Sequence, residues 1–183
     1  GLAGISFGNF LIKQVVEEAS REMPRLNTFV TLSPVPNFAA WLKRERQDEQ
    51  SVVLSEQDKA LLATVDEDGW WLAAERAEQV HDVLMRAAAH YFVHARNKRG
   101  TPVDSVARFH LGNGARLERL NWLGDTSEKA MQQSHGLMVN YLYDLEDIEK
   151  NHEAFAGQRM VVASNAITRL ARTPAREIAP VSA

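Results

Sequence analysis

The sequence predicts an α+β domain, and two observations carry that expectation. Through most of the chain the apolar residues recur at three and four, the spacing of an amphipathic helix. Three short runs, 27–32, 115–122 and 136–143, are instead β-branched, aromatic or roughly alternating, and read as strands.

Taken in order, Phe7, Phe10, Leu11, Val15 and Ala19 mark a helix over 6–23, closed by Pro24. Thr28, Phe29, Val30 and Thr31 form a strand expected to lie buried between other elements. Pro34 lacks an N–H and is expected to end it. A helix follows from about Asn37, capped by Asn37 or Ser33, so Ser33 sits at a strand-to-helix corner. Residues 43–50 are a solvated run of mixed charge, and Ser55 opens another helix toward Val65. Residues 70–97 are mostly helical, with Leu72, Ala73, Val80, Val83, Leu84, Ala87, Ala88 and Phe92 facing the core. A short helix over 103–109 precedes His110, which is followed by a Gly-Asn-Gly turn and the imperfectly alternating strand over 115–122. Asp125 to Glu128 start a helix to Gln133, 136–143 is the clearest strand, and helices over 144–152 and 160–172 complete the domain. Residues 173–183 read as a poorly ordered tail.

Composition excludes whole classes of function. The 183 residues suit about one domain with a full core. No apolar run approaches the roughly 18 to 20 residues that span a bilayer. The net charge of -3 leaves no electrostatic footprint for nucleic acid. Without cysteine, this chain has no thiolate nucleophile, disulfide or cysteine-held metal. Its first residue is Gly1, with neither a charged leader nor a cleavage site, so the expectation is a piece of a longer protein without a secretory signal. Val181-Ser182-Ala183 is not a peroxisomal address, and a cytoplasmic location is the default.

Three places carry candidate chemistry. Gly4, Ile5, Ser6, Phe7, Gly8 and Asn9 lead into a helix, an arrangement that offers backbone N–H groups to a pyrophosphate, or is simply a turn. No Gly-Lys-Ser/Thr follows, which excludes a Walker loop. Ser33 is a nucleophile or orienting hydroxyl, or else a cap before proline; it lacks a G-x-S-x-G setting. His110 is a proton carrier, or else a hydrogen-bonded corner residue. His90 and His94 share a helix face, but Tyr91 stands where a zinc protease has glutamate, so no metal site is expected. His81, His135 and His152 read as bland surface or loop residues, and Trp41, Trp70, Trp71 and Trp122 as packing.

Four segments in order, F-L-I-K-Q-V-V from Phe10, T-L-S-P-V-P-N-F from Thr31, R-F-H-L-G-N-G-A from Arg108 and G-L-M-V-N-Y from Gly136, resemble the C-terminal catalytic domain of malonyl-CoA decarboxylase. The resemblance runs from the first residues to about Arg172. It implies a GNAT-like acyltransferase fold, a mixed β-sheet flanked by helices that binds coenzyme A, here incomplete on its N-terminal side. Residues 1–172 are then the C-terminal part of that catalytic domain. It implies decarboxylation of malonyl-CoA to acetyl-CoA, with Ser33 orienting the malonyl group and His110 as general acid/base. Tyr143, with Asn140 and Tyr141, is placed near substrate, and Gly4 to Asn9 match the pyrophosphate loop. Some family members carry an acidic residue where Ser6 stands, so a third catalytic partner stays open. The implied partners are the acyl-CoA, the missing N-terminal part of the same protein and further copies of it. No metal, biotin or pyridoxal phosphate is implied, because the thioester is its own electron sink. The rival readings are a GNAT-type N-acyltransferase and a non-enzymatic acyl-CoA-binding module.

Overall fold

All three strand signals join one sheet. In the computed structural model, which describes residues 8–26 and 28–172 with side chains from residue 12 onward, β1 (Phe29–Pro34), β2 (Arg116–Asn121) and β3 (Met138–Tyr143) pair antiparallel in the order β1-β3-β2. The clearest strand of the sequence is therefore the central one. Its alternation is a two-sided burial pattern: Val139, Tyr141 and Tyr143 are buried on the core face, whereas Met138, Asn140 and Leu142 are half-buried on the other. A mixed sheet was expected; the three strands are antiparallel, and the parallel element is one bridge between Leu117 and Ala163.

Strand β1 differs from its reading in two ways. Pro34 is its last paired residue, opposite Met138, and not its terminator. At the edge of the described sheet a strand has one row of N–H groups outside the ladder, and there proline removes nothing. Nor is β1 buried on both faces: Val30 and Leu32, on the face away from the core, stand 53% and 59% exposed.

The helices pack around this sheet. α1 (Gly8–Glu22) lies within the helix read over 6–23, whose first two residues fall outside the described ones. α2 (Phe38–Gln47) starts after Asn37, whose side chain makes no capping bond, and it takes up much of the charged run that was read as connector. α3 (Glu56–Leu61) opens with a reciprocal box in which Ser55 and Asp58 each accept from the other's backbone N–H. Short 3-10 turns at Leu62–Asp66 and Trp70–Leu72 lead to α4 (Ala74–Val93), whose Val80, Val83, Leu84, Ala87, Ala88 and Phe92 form the core stripe. Leu72 falls outside that stripe at 80% exposed, because the 3-10 turn puts Trp70 into the core instead. α5 (Ser105–Gly112) carries His110 inside the helix, one turn further than the sequence indicated. α6 (Glu128–Ser134), α7 (Ile148–Gln158) and α8 (Asn165–Arg172) follow, the last two starting later than expected. α8 lies along α4 and β2.

Two buried devices hold the frame. Arg86 on α4 donates to Asp58 on α3 at 2.8 Å, both side chains being essentially out of water. Gly114 turns the chain from α5 into β2 at φ +81, and a Cβ there would lie 2.2 Å from the Ile148 carbonyl oxygen. Gly114→Ala is accordingly expected to cost about 2 kcal/mol or more of stability, through positive φ and the collision together. Urea unfolding reads this directly, and an unchanged midpoint would contradict the tight turn.

Candidate active site

Strand periodicity brings the first two groups together. Thr31 and Ser33 are two apart on β1 and share its core face, with Oγ1 and Oγ 3.1 Å apart. His110 arrives from α5, whose first turn is fixed by Asp104 as its Oδ1 accepts from the Ala107 N–H at 2.9 Å. Tyr141 and Tyr143 come from the core face of β3.

These elements meet in one buried line of polar atoms. Ser33 Oγ lies 3.1 Å from His110 Nε2, and His110 Nδ1 lies 2.7 Å from the Tyr143 hydroxyl. The Tyr141 ring stacks on the imidazole at a centroid distance of 4.3 Å and 17°. Ser33, His110 and Tyr143 are all buried, at 5%, 8% and 2% exposed.

Burial sets the protonation states. Desolvation pushes the His110 imidazole down to about 4, so at neutral pH the ring is uncharged, one nitrogen donating and the other accepting. Burial raises both Tyr143 and Tyr141, which remain phenols. Behind them, the Tyr91 hydroxyl donates to Asp104 Oδ2 at 3.2 Å, and burial lifts the Asp104 carboxyl above its ordinary value.

The same depression makes acid a threat to the fold. His110 and His135 are both held down to about 4 against an ordinary 6.5, by burial and, for His135, by Arg46 as well. Below about 6.5 the unfolded chain takes up these protons while the folded chain refuses them until about 4. Stability is therefore full above 6.5 and falls as the pH drops through that window. Urea midpoints at pH 7.5 and pH 5 should show the loss, and His110→Gln should reduce it; equal losses in both proteins would contradict the assignment to His110.

Of the residues singled out in the sequence, the structure brings Ser33, His110, Tyr141 and Tyr143 together. Ser33 lies within β1 and does not cap α2. Tyr141 and Tyr143 lie behind and beside the imidazole. Asn140 points to the other sheet face, where it accepts from Asn121 at 2.8 Å and donates to the Thr31 carbonyl at 3.0 Å, tying β1 to β3. Gly4, Ile5, Ser6 and Phe7 lie outside the described residues, as does the tail 173–183, and Gly8 and Asn9 form the first turn of α1. His90 and His94 have rings 5.0 Å apart, and among the described residues no third ligand completes a metal group with them. His81 packs edge-on against Trp122, while His152 Nδ1–H donates to the Gly112 carbonyl at 2.7 Å. A surface cavity of about 600 Å³ under Trp70 and Trp71 contains none of the polar line. Thr31, Asp104 and Tyr91 were not singled out from the sequence; for Thr31 the two-residue spacing to Ser33 was the available signal.

A serine, a neutral histidine and a tyrosine in hydrogen-bonded series, on a small antiparallel sheet, define a candidate acid–base enzyme site. The family model of the malonyl-CoA decarboxylase C-terminal domain matches residues 1–181, and the chain belongs to that family. It is 35% identical to mitochondrial malonyl-CoA decarboxylase of Anser anser anser over 91% of this chain and 36% of that protein. It is likewise 35% identical to the Rattus norvegicus protein, over 93% and 38%. The crystal structure of malonyl-CoA decarboxylase from Rhodopseudomonas palustris superposes with a TM-score of 0.89 at 56% identity, covering 92% of this chain and 39% of that one. The Agrobacterium vitis structure gives 0.88 at 56%, covering 94% and 42%. The chain thus spans well under half the length of these relatives. No described helix is long and apolar enough to cross a membrane.

Proposed function

We propose that this chain is the C-terminal catalytic part of a longer, GNAT-like enzyme that decarboxylates malonyl-CoA, with the rest of the protein completing the coenzyme A site and the oligomer. The observation that carries the reading is the buried Ser33–His110–Tyr143 line in a chain of this family.

The chemistry suits such a site. Cleavage of the bond between the malonyl carboxylate carbon and the α-carbon leaves its electron pair as an enolate, with the charge on the thioester oxygen. Carbon dioxide departs and the α-carbon takes one proton, giving acetyl-CoA. Substrate binding itself supplies the means: a malonyl carboxylate set beside His110 brings the opposite charge that raises an imidazole's proton affinity. The ring, neutral when free, takes up a proton from water with the substrate. Ser33 orients the malonyl group so that the breaking bond lies out of the thioester plane, and relays the His110 proton to the α-carbon. Tyr143, bonded to Nδ1, holds the ring so that Nε2 faces Ser33.

The test is the full-length protein with malonyl-CoA and no added metal, acetyl-CoA being quantified directly. Stoichiometric acetyl-CoA and carbon dioxide are expected. Binding of coenzyme A without either product, or acetyl transfer to an amine instead, would overturn the reading.

A further inference from the structure

Thr31 stands at the outer end of the polar line, and the strand alone does not ask for a hydroxyl there. Valine has the same β-branched shape and suits an edge strand as well. Yet Thr31 Oγ1 lies 3.1 Å from Ser33 Oγ, and Thr31 is only half-buried where Ser33, His110 and Tyr143 are buried.

The direction of the protons along this line follows from satisfying each donor. The four groups hold four protons between them: three hydroxyl protons and the single N–H of a neutral imidazole. If the line began at Thr31 and ran inward, the last proton would be that of Tyr143, buried and pointing away from its only hydrogen-bond partner found among the described residues. An unsatisfied buried donor is costly. Run the other way, Tyr143 donates to Nδ1, Nε2–H donates to Ser33, Ser33 donates to Thr31, and Thr31, half in water, donates to solvent. Every proton then has an acceptor.

We propose that Thr31 is a positioning residue that accepts the Ser33 hydroxyl proton, fixes His110 in its Nε2–H tautomer and connects the buried line to water. In the decarboxylation reading, on which the kinetic consequence rests, this keeps Nε2–H aimed at Ser33 until bound substrate draws the Ser33 hydroxyl from Thr31 to the α-carbon, where Ser33 gives up its proton as it takes the one from His110.

The experiment uses the full-length protein with Thr31→Val and Thr31→Ser. Loss of one such hydrogen bond is expected to lower kcat about tenfold in Thr31→Val, with KM within about twofold, and Thr31→Ser should restore most of the rate. A second readout needs no turnover: histidine 15N NMR should show the Nε2–H tautomer for His110 in wild type and Thr31→Ser, and a shift toward Nδ1–H in Thr31→Val as Ser33 turns its proton to the ring. Should Thr31→Val fail to fold, Thr31→Ala carries the same expectations. A wild-type tautomer and wild-type kcat in the folded valine or alanine variant would overturn the proposal, as would an Nδ1–H ring in wild type. A tautomer shift in a protein that makes no acetyl-CoA would uphold the role of Thr31 and sink the decarboxylase reading alone.

Discussion

His110→Ala in the full-length protein is expected to lower kcat for malonyl-CoA about 100-fold or more, the scale of a positioned acid–base group, while coenzyme A still binds. The site has one imidazole, reached by one hydroxyl at 3.1 Å and held by another at 2.7 Å. Alanine removes both bonds and the proton carrier at once, and its neighbours on α5 keep the helix through the Asp104 cap. Steady-state rates with a separate coenzyme A binding measurement check this. A variant that binds and turns over within threefold of wild type would remove His110 from the chemistry.

The largest expected loss of stability lies elsewhere, at the Asp58–Arg86 pair. Asp58 is fully buried and also belongs to the box that starts α3, while Arg86 projects from the middle of α4. Asp58→Ala leaves a guanidinium buried without its carboxylate, and a loss of about 3 to 5 kcal/mol is expected. Asp58→Leu with Arg86→Met removes both charges and should recover much of that loss. The Arg46–Asp66 pair is the contrast, because Asp66 is 63% exposed. Breaking it should cost no more than about 1 kcal/mol. Urea midpoints order the variants; equal costs for the buried and exposed pairs would contradict the account.

How much of this was legible in the sequence depended on the range of the forces involved. Periodicity is local, so α1, the core stripe of α4 and the strand at 138–143 could be read from spacing. Pairing and layering are not local: nothing within 27–34 reveals that β1 is paired on one side and covered on one face among the described residues, which is why Pro34 and the exposure of Val30 and Leu32 were misjudged. The end of α5 was legible but missed: Gly112 ordinarily marks a helix end, and the reading stopped three residues short of it, before His110. For the site, Ser33 and His110 were found through motifs, but their contact joins residues 77 positions apart. Asn140 shared a motif with Tyr141 and was assigned with it, although strand alternation sends neighbouring side chains to opposite faces. Thr31 became visible only once Ser33 had a partner.

The central claim is that Ser33 and His110 act as one unit in malonyl-CoA decarboxylation. Its most direct test is the rate of acetyl-CoA formation by four full-length proteins: wild type, Ser33→Ala, His110→Ala and the double variant. Groups that work as a unit lose their effect together, so the double variant should be no slower than the slower single one. A double variant slowed by the product of the two single losses would show two independent contributions, and the hydrogen-bonded line would then not be the catalytic device.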